Sequence, residues 1–164
     1  MGNVCIKLPC YKSKTLSYKD SGKIPLDLDI GDVKKYVPNI TEGLVVKVYD
    51  GDTITIAGRV QYNPTIYKFS VRILGIDTPE MKTKDENEKE IAKLARDHVH
   101  NIVYKKIVQL HDVSLDKYGR LLAHVTYNNK DIATSLIENR LAVEYDGGTK
   151  HCPSNWKDFH ENRC

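Results

Sequence analysis

Ten consecutive residues, Val71-Arg72-Ile73-Leu74-Gly75-Ile76-Asp77-Thr78-Pro79-Glu80, deliver one arginine and then two carboxylates within a single turn. Val71 and Ile73 alternate with Arg72, so if the two apolar residues face a core the arginine stands on the other face of the sheet. Gly75 lets the strand bend, and Pro79 biases Thr78 toward extended geometry. The Asp77 side chain and the Thr78 carbonyl are then free to converge on one point, an arrangement able to hold a cation. Taken alone, Asp-Thr-Pro-Glu is better read as a strand-ending turn with a helix start behind it. Two further stretches carry charge in short loops: Asp50-Gly51-Asp52 and Asp116-Lys117-Tyr118-Gly119-Arg120. Asp-Gly between β-branched runs is first a hairpin signal, although the second aspartate exceeds what such a turn requires.

The elements that must position these residues follow from periodicity. Leu44 to Tyr49 reads as a strand through Val45, Val46 and Val48, and Thr53 to Ile56 as its partner. Gly58 to Pro64 connects to a third strand, which runs from about Tyr67 into the Arg72 stretch, so the three make an antiparallel meander. From Asp85 to about Tyr104, Ile91, Leu94, Ala95, His98, Val99 and Ile102 recur at helical spacing, with acidic residues leading and Lys105-Lys106 closing. His98 and His100 have no ligand-like partner set and read as solvent or boundary residues. Ile107 to Leu110 and Leu121 to Tyr127 read as two more strands, and Asp131 caps a second helix carrying Ile132, Leu136 and Ile137. Five strands with a helix between the third and fourth predict an α+β fold, a five-stranded OB-like barrel with two to three helices.

At 164 residues the chain supports one ordinary domain. A formal charge of +3 and a pI near 8.6 permit a polyanionic partner without demanding one. No apolar run approaches the roughly 18 residues that span a bilayer, so the sequence predicts an intracellular, cytoplasmic protein. Cys5, Cys10, Cys152 and Cys164 sit at the two extremities, which argues against a disulfide framework in the core. Residues 1–41 read as a mostly irregular extension, with one short segment near Asp32 to Val37 docked on the domain of residues 42–150. The extension opens Met1-Gly2-Asn3-Val4-Cys5, which offers Gly2 to myristoylation and Cys5 to palmitoylation, with a modest basic patch behind; Ile6 stands where the acylation pattern wants Ser or Thr. Such acylation would anchor the chain to the cytoplasmic face of a membrane. The tail, residues 151–164, gathers His151, Cys152, His160 and Cys164, but their spacing fits no common zinc site, and a capping segment anchored by Trp156 and Phe159 is the better reading.

From Gly43 to about Thr149 the sequence resembles the staphylococcal-nuclease-like (thermonuclease) family. The resemblance rests on three motifs in order: Asp50-Gly51-Asp52-Thr53, Arg72 through Asp77-Thr78-Pro79-Glu80, and Asp116-Lys117-Tyr118-Gly119-Arg120. It implies a calcium-dependent enzyme that hydrolyses DNA and RNA. It further implies that Asp52 and Asp77 ligate Ca²⁺ through carboxylates and Thr78 through its backbone oxygen, with Asp50 in support. Arg72, Glu80 and Arg120 would be catalytic, Lys117 and Tyr118 would contact phosphate and base, and Tyr145 would line the same pocket. The chain departs from the bacterial pattern in the short, highly charged stretch Met81 to Lys89 and in Val143 to Gly148.

The chemistry is coherent on its own terms. A hard cation held by two carboxylates and a carbonyl keeps positions for water and a phosphate oxygen. Glu80 would activate or orient a water for in-line attack on phosphorus while Arg72 and Arg120 take up the developing charge. A water nucleophile needs no 2'-hydroxyl, so single-stranded DNA, RNA and duplex DNA are all expected substrates, with 3'-phosphate products by family precedent and a monomer as the working unit. The rival readings are a non-catalytic nucleic-acid-binding module on the same barrel and a membrane-associated scaffold. The joint presence of Asp52, Arg72, Asp77, Glu80 and Arg120 favours the enzyme.

Overall fold

A computed structural model describes residues 24, 26–149 and 151–162. Gly2 and Cys5 lie outside the described residues, as does Cys164. The chain divides into two compact units, residues 1–35 and 36–164. In the first, Asp29 accepts a hydrogen bond from the Gly31 amide and caps a short 3-10 turn, Ile30–Asp32.

The second unit is built on seven- to nine-residue strands whose burial alternates with the pleat. These are β1 (Glu42–Val48), β2 (Thr53–Arg59), β3 (Ile66–Ile73), β5 (Ile107–Leu115) and β6 (Leu121–Tyr127). Two-residue pieces complete the sheets: β4 (Ile76–Asp77), β7 (Lys130–Asp131) and β8 (Val143–Glu144). The strand order is β3-β2-β1-β5-β6-β7, and a parallel pairing of Val71 to Ile73 with Leu121 to Ala123 joins β3 to β6, closing a five-stranded barrel of the OB type. Val45, Ile54, Ile56, Val71, Ile73, Val108 and Val125 fill it.

Helix α1 (Glu86–Val103) begins where Asp85 accepts the Asn87 and Glu88 amides, and its backbone stops at Tyr104. Its buried stripe is Ile91, Ala92, Ala95, Val99 and Val103. Leu94, expected inside, is 43% exposed, because the small Ala92 and Ala95 let the helix lie closer to the barrel on a face rotated from the bulkiest side chains. His98 is half-buried against Ser135, 2.9 Å away, and burial lowers its pKa; His100 stacks on Tyr104. Helix α2 (Ile132–Glu138) is capped by Asp131, whose carboxylate accepts the Thr134 amide. The tail forms α3 (Trp156–Glu161), with Trp156 buried in the core, Phe159 edge-on to it, and Lys157 bridging to Glu90 of α1 at 3.0 Å. The Arg140 guanidinium covers the Phe159 ring, and its Nε donates to the Phe159 carbonyl.

Three expectations change. Strand β5 runs to Leu115 rather than Leu110, because a bulge between His111 and Ser114, with Asp112 at φ 54°, resets the register and lets pairing with β6 resume. Strand β2 likewise runs past Ile56 to Arg59, paired with Ile66. Tyr36 and Val37 are exposed; Pro38 and Ile40, just beyond the segment expected to dock, are the buried residues there. Among the described residues no helix is long and apolar enough to cross a membrane.

Candidate active site

One rim of the barrel carries a cleft of about 960 Å³ lined by the β1–β2 loop, the β3–β4 turn, the β5–β6 loop and the segment after β8. The β1–β2 loop is drawn down onto the body of the protein. A Cβ on Gly51 would stand 2.8 Å from Ala95 Cβ and 2.9 Å from Thr78 Cγ2, so only glycine permits this approach. Asp52 and Thr53 are thereby buried at the mouth of β2, where Thr53 Oγ1 lies 2.8 Å from Asp52 Oδ1. Gly75, at φ +83°, makes the reverse turn after β3 that returns Asp77 toward Arg72. Strand β4 then pairs with β8, setting Asp77 opposite Val143, and the Tyr145 amide donates to the Gly75 carbonyl at 3.0 Å.

Arg72 ties the two carboxylates together. Its Nη1 is 2.5 Å from Asp52 Oδ2 and its Nη2 3.0 Å from Asp77 Oδ1, with the two acids 5% and 2% exposed in their side chains. Burial by itself would lower the arginine pKa, but the Asp52 charge and the hydrogen bond and charge of Asp77 outweigh it and raise the value, so the guanidinium is cationic. Burial, and then the charge of Asp52, pushes Asp50 up to about 7, and its Oδ1 has no hydrogen-bond partner among the described residues. Asp77 Oδ2 accepts from the Cys152 thiol at 3.4 Å.

The opposite wall is the β5–β6 loop. Asp116 folds it: Oδ1 accepts the Tyr118 and Arg120 amides at 2.8 and 2.9 Å, and Oδ2 accepts Arg120 Nε at 2.6 Å. Burial would raise the Asp116 pKa, yet the Arg120 side chain, these amides and the guanidinium charge hold it below the usual carboxylate value. Gly119, at φ +83°, completes the turn. Tyr118 is 74% exposed, with Lys117 Nζ 5.0 Å and Arg120 Cζ 5.8 Å from its ring centre.

The structure brings Asp50, Asp52, Arg72, Thr78, Glu80, Lys117, Tyr118, Arg120 and Tyr145 to one cleft, and Asp77 to its floor through Arg72. Glu80 is exposed on the lip, and its amide donates to Glu88 Oε1 of α1 at 3.0 Å, which ties the charged stretch after it to the helix. Tyr145 is half-buried and its hydroxyl donates to the Gly148 carbonyl at 3.2 Å. Three neighbours were not foreseen. Tyr49 and His124 line the cleft, and Cys152 reaches Asp77 from the tail. For Tyr49 and His124 the available signal was the register, which puts both beside cleft-lining strand ends. For Cys152 no local signal existed. His151 is exposed and His160 lies on α3, and the Cys152 thiol donates to Asp77.

Comparison with known proteins agrees with this architecture. Residues 70–161, more than half of the chain, match the family described as Staphylococcal nuclease homologue. A probable endonuclease of Schizosaccharomyces pombe is 37% identical over 93 residues, covering 52% of this chain and 40% of that protein. The SPbeta prophage-derived endonuclease YokF of Bacillus subtilis is 33% identical over 121 residues, covering 70% and 39%, and endonuclease YncB of the same organism is 32% identical over 124 residues, covering 72% and 54%. The chain therefore spans about half or less of the length of these relatives. It belongs to the staphylococcal nuclease family.

Proposed function

We propose that the domain is a calcium-dependent phosphodiesterase that hydrolyses DNA and RNA with little base preference, leaving 3'-phosphate ends. The observation that carries this reading is the Arg72 guanidinium bridging Asp52 and Asp77 in a cleft that also holds Arg120 and Glu80. The donor set suits a hard divalent cation: two buried carboxylates, a backbone carbonyl at Thr78, and beside them the orphaned Oδ1 of Asp50. Asp52, Asp77 and the Thr78 carbonyl would hold the ion, with Asp50 in support. When bound, calcium supplies positive charge to a phosphate oxygen and helps to order water.

The chain's own residues do the rest. Arg72 and Arg120 bind the phosphate oxygens and gain strength as charge accumulates in the transition state. Glu80 orients a water and accepts its proton as the oxygen attacks phosphorus, and the bond to the 5' oxygen breaks on the opposite side. Lys117, Tyr118 and Tyr145 seat the nucleotide. Single-stranded DNA, RNA and duplex DNA are the substrates, and the working unit is a monomer. A site with two carboxylates and open positions holds calcium at micromolar levels or weaker, so cleavage follows calcium elevation. Acylation of Gly2, with Cys5 as the second signal, would place this cytoplasmic protein on a membrane surface.

The deciding experiment follows degradation of single-stranded DNA with Ca²⁺ and with a chelator. Loss of cleavage on chelation and its return with calcium support the proposal; cleavage unaffected by chelation removes calcium from it. Product end-labelling checks the 3'-phosphate.

A further inference from the structure

The Asp52–Arg72 pair lies midway along a row of hydrogen-bonded strand neighbours. The row runs Val48 with Ile54, Thr53 with Arg72, Arg72 with Leu122, and Leu121 with Leu115. Strands β1 and β5 pair through Glu42 to Leu44 with Ile107 to Gln109, extended by backbone bonds of Val45 with Lys105 and Lys106 and of Leu110 with Thr41, and this seam leaves the row open between Val48 and Leu115. Its two ends are thus on opposite flanks of the carboxylate–arginine centre. One end passes into Tyr49; the other passes into the loop bearing Tyr118.

These two tyrosines are alike in setting. Both line the cleft, and both are well exposed, Tyr49 by 46% and Tyr118 by 74%. Each has a cation at its ring, Lys47 Nζ lying 5.5 Å from the centre of Tyr49. The Tyr49 hydroxyl makes no hydrogen bond among the described residues, so neither core packing nor a polar network accounts for the ring. An exposed aromatic ring with a neighbouring ammonium at the edge of a cleft is the unit by which proteins hold unpaired nucleotides: the base stacks and the cation takes the phosphate.

We propose that Tyr49, with Lys47, is a second nucleotide subsite, on the side of the attacked phosphate opposite Tyr118. This rests on the nuclease reading and extends it. The cleft holds a continuous single strand, with a stacked base on each side of the bond that breaks, and therefore cuts within strands rather than only at their ends. Because both platforms need unpaired bases, single strands and locally melted duplex are favoured over intact duplex.

The test is binding of a fluorescent single-stranded oligonucleotide in the presence of chelator, read by anisotropy. Stacking on one aromatic contributes about 1–3 kcal/mol per base, so Tyr49→Ala is expected to weaken Kd by about tenfold and Tyr49→Trp to restore it. On an abasic strand of the same length the wild type and Tyr49→Ala should bind equally, a result that mere loosening of the fold would not give. Equal binding of the normal strand by wild type and Tyr49→Ala overturns the subsite, as does the same loss on the abasic strand. If the wild type binds and shows the Tyr49 dependence but never cleaves with calcium, the nuclease reading falls and the subsite stands; if it cleaves and Tyr49→Ala binds normally, the subsite alone falls.

Discussion

Arg72 has two duties that a single substitution separates. In the metal-free protein it neutralises two buried carboxylates, and removing one partner of such a cluster costs about 3–5 kcal/mol. Arg72→Ala should therefore melt well below the wild type in chelator, and calcium should recover much of the loss by replacing the missing charge, as differential scanning calorimetry would show. Cleavage should stay about 100- to 1000-fold down even at saturating calcium, because no other group takes its place on the phosphate. A fully active variant would refute that role. Asp116 gives a pH signature instead. Its folded pKa is depressed, so the stability it contributes is complete above the unfolded value near 4 and is lost as pH falls through the lower folded value. Asp116→Asn should cost about 1 kcal/mol at neutral pH, a few degrees in Tm, and the gap should vanish in acid. At this scale the proximity of Arg72 to Asp77 was legible because it depends on one strand and one turn. The approach of Cys152, seventy-five positions along the chain from Asp77, was not, since it exists only after the tail has packed.

Among the elements, the β1–β2 loop shows how a backbone can govern a site without supplying a ligand. Gly51→Ala leaves every carboxylate in place but puts a methyl group where Ala95 and Thr78 already stand. Overpacking of this kind costs about 1–3 kcal/mol, and here the strain lifts the Asp50–Asp52 loop. Calcium affinity measured by isothermal titration should fall about tenfold, and the second change Ala95→Gly should return part of it by opening space on α1. The elements themselves were legible where period and caps agree, as for α1 between Asp85 and Tyr104. They were less so where register depends on a partner strand: nothing within Ile107 to Leu115 marks the bulge that carries β5 past Leu110, and β4 and β8 are strands only because Asp77 and Val143 find each other. Leu94, an apolar residue at helical spacing yet exposed, shows that hydrophobicity alone does not fix which stripe of a helix lies inside.

For the whole molecule, α3 is the external brace of the barrel. Trp156 is buried against the core, and Lys157 and Arg140 hold the segment at its two sides. Trp156→Ala should cost about 3–5 kcal/mol, read as a lower urea midpoint with cleavage by the folded fraction still measurable. That Trp156 and Phe159 anchor the tail was legible from their being large apolar residues in a polar stretch; which helix they meet was not, because α1 lies more than fifty residues earlier in the chain. The barrel's parallel closure also sets an order in time. Val71 to Ile73 must find Leu121 to Ala123, partners fifty positions apart along the chain, and such distant parallel pairings form late and slowly. A chain still emerging from the ribosome carries both carboxylates and Arg72 long before it has the strand that seats Arg120 beside them. Assembly of the cleft that joins Arg72 to Arg120 thus waits on a pairing made only after β6 has left the ribosome, so a partly synthesised chain holds the buried acids and their arginine without the wall that faces them.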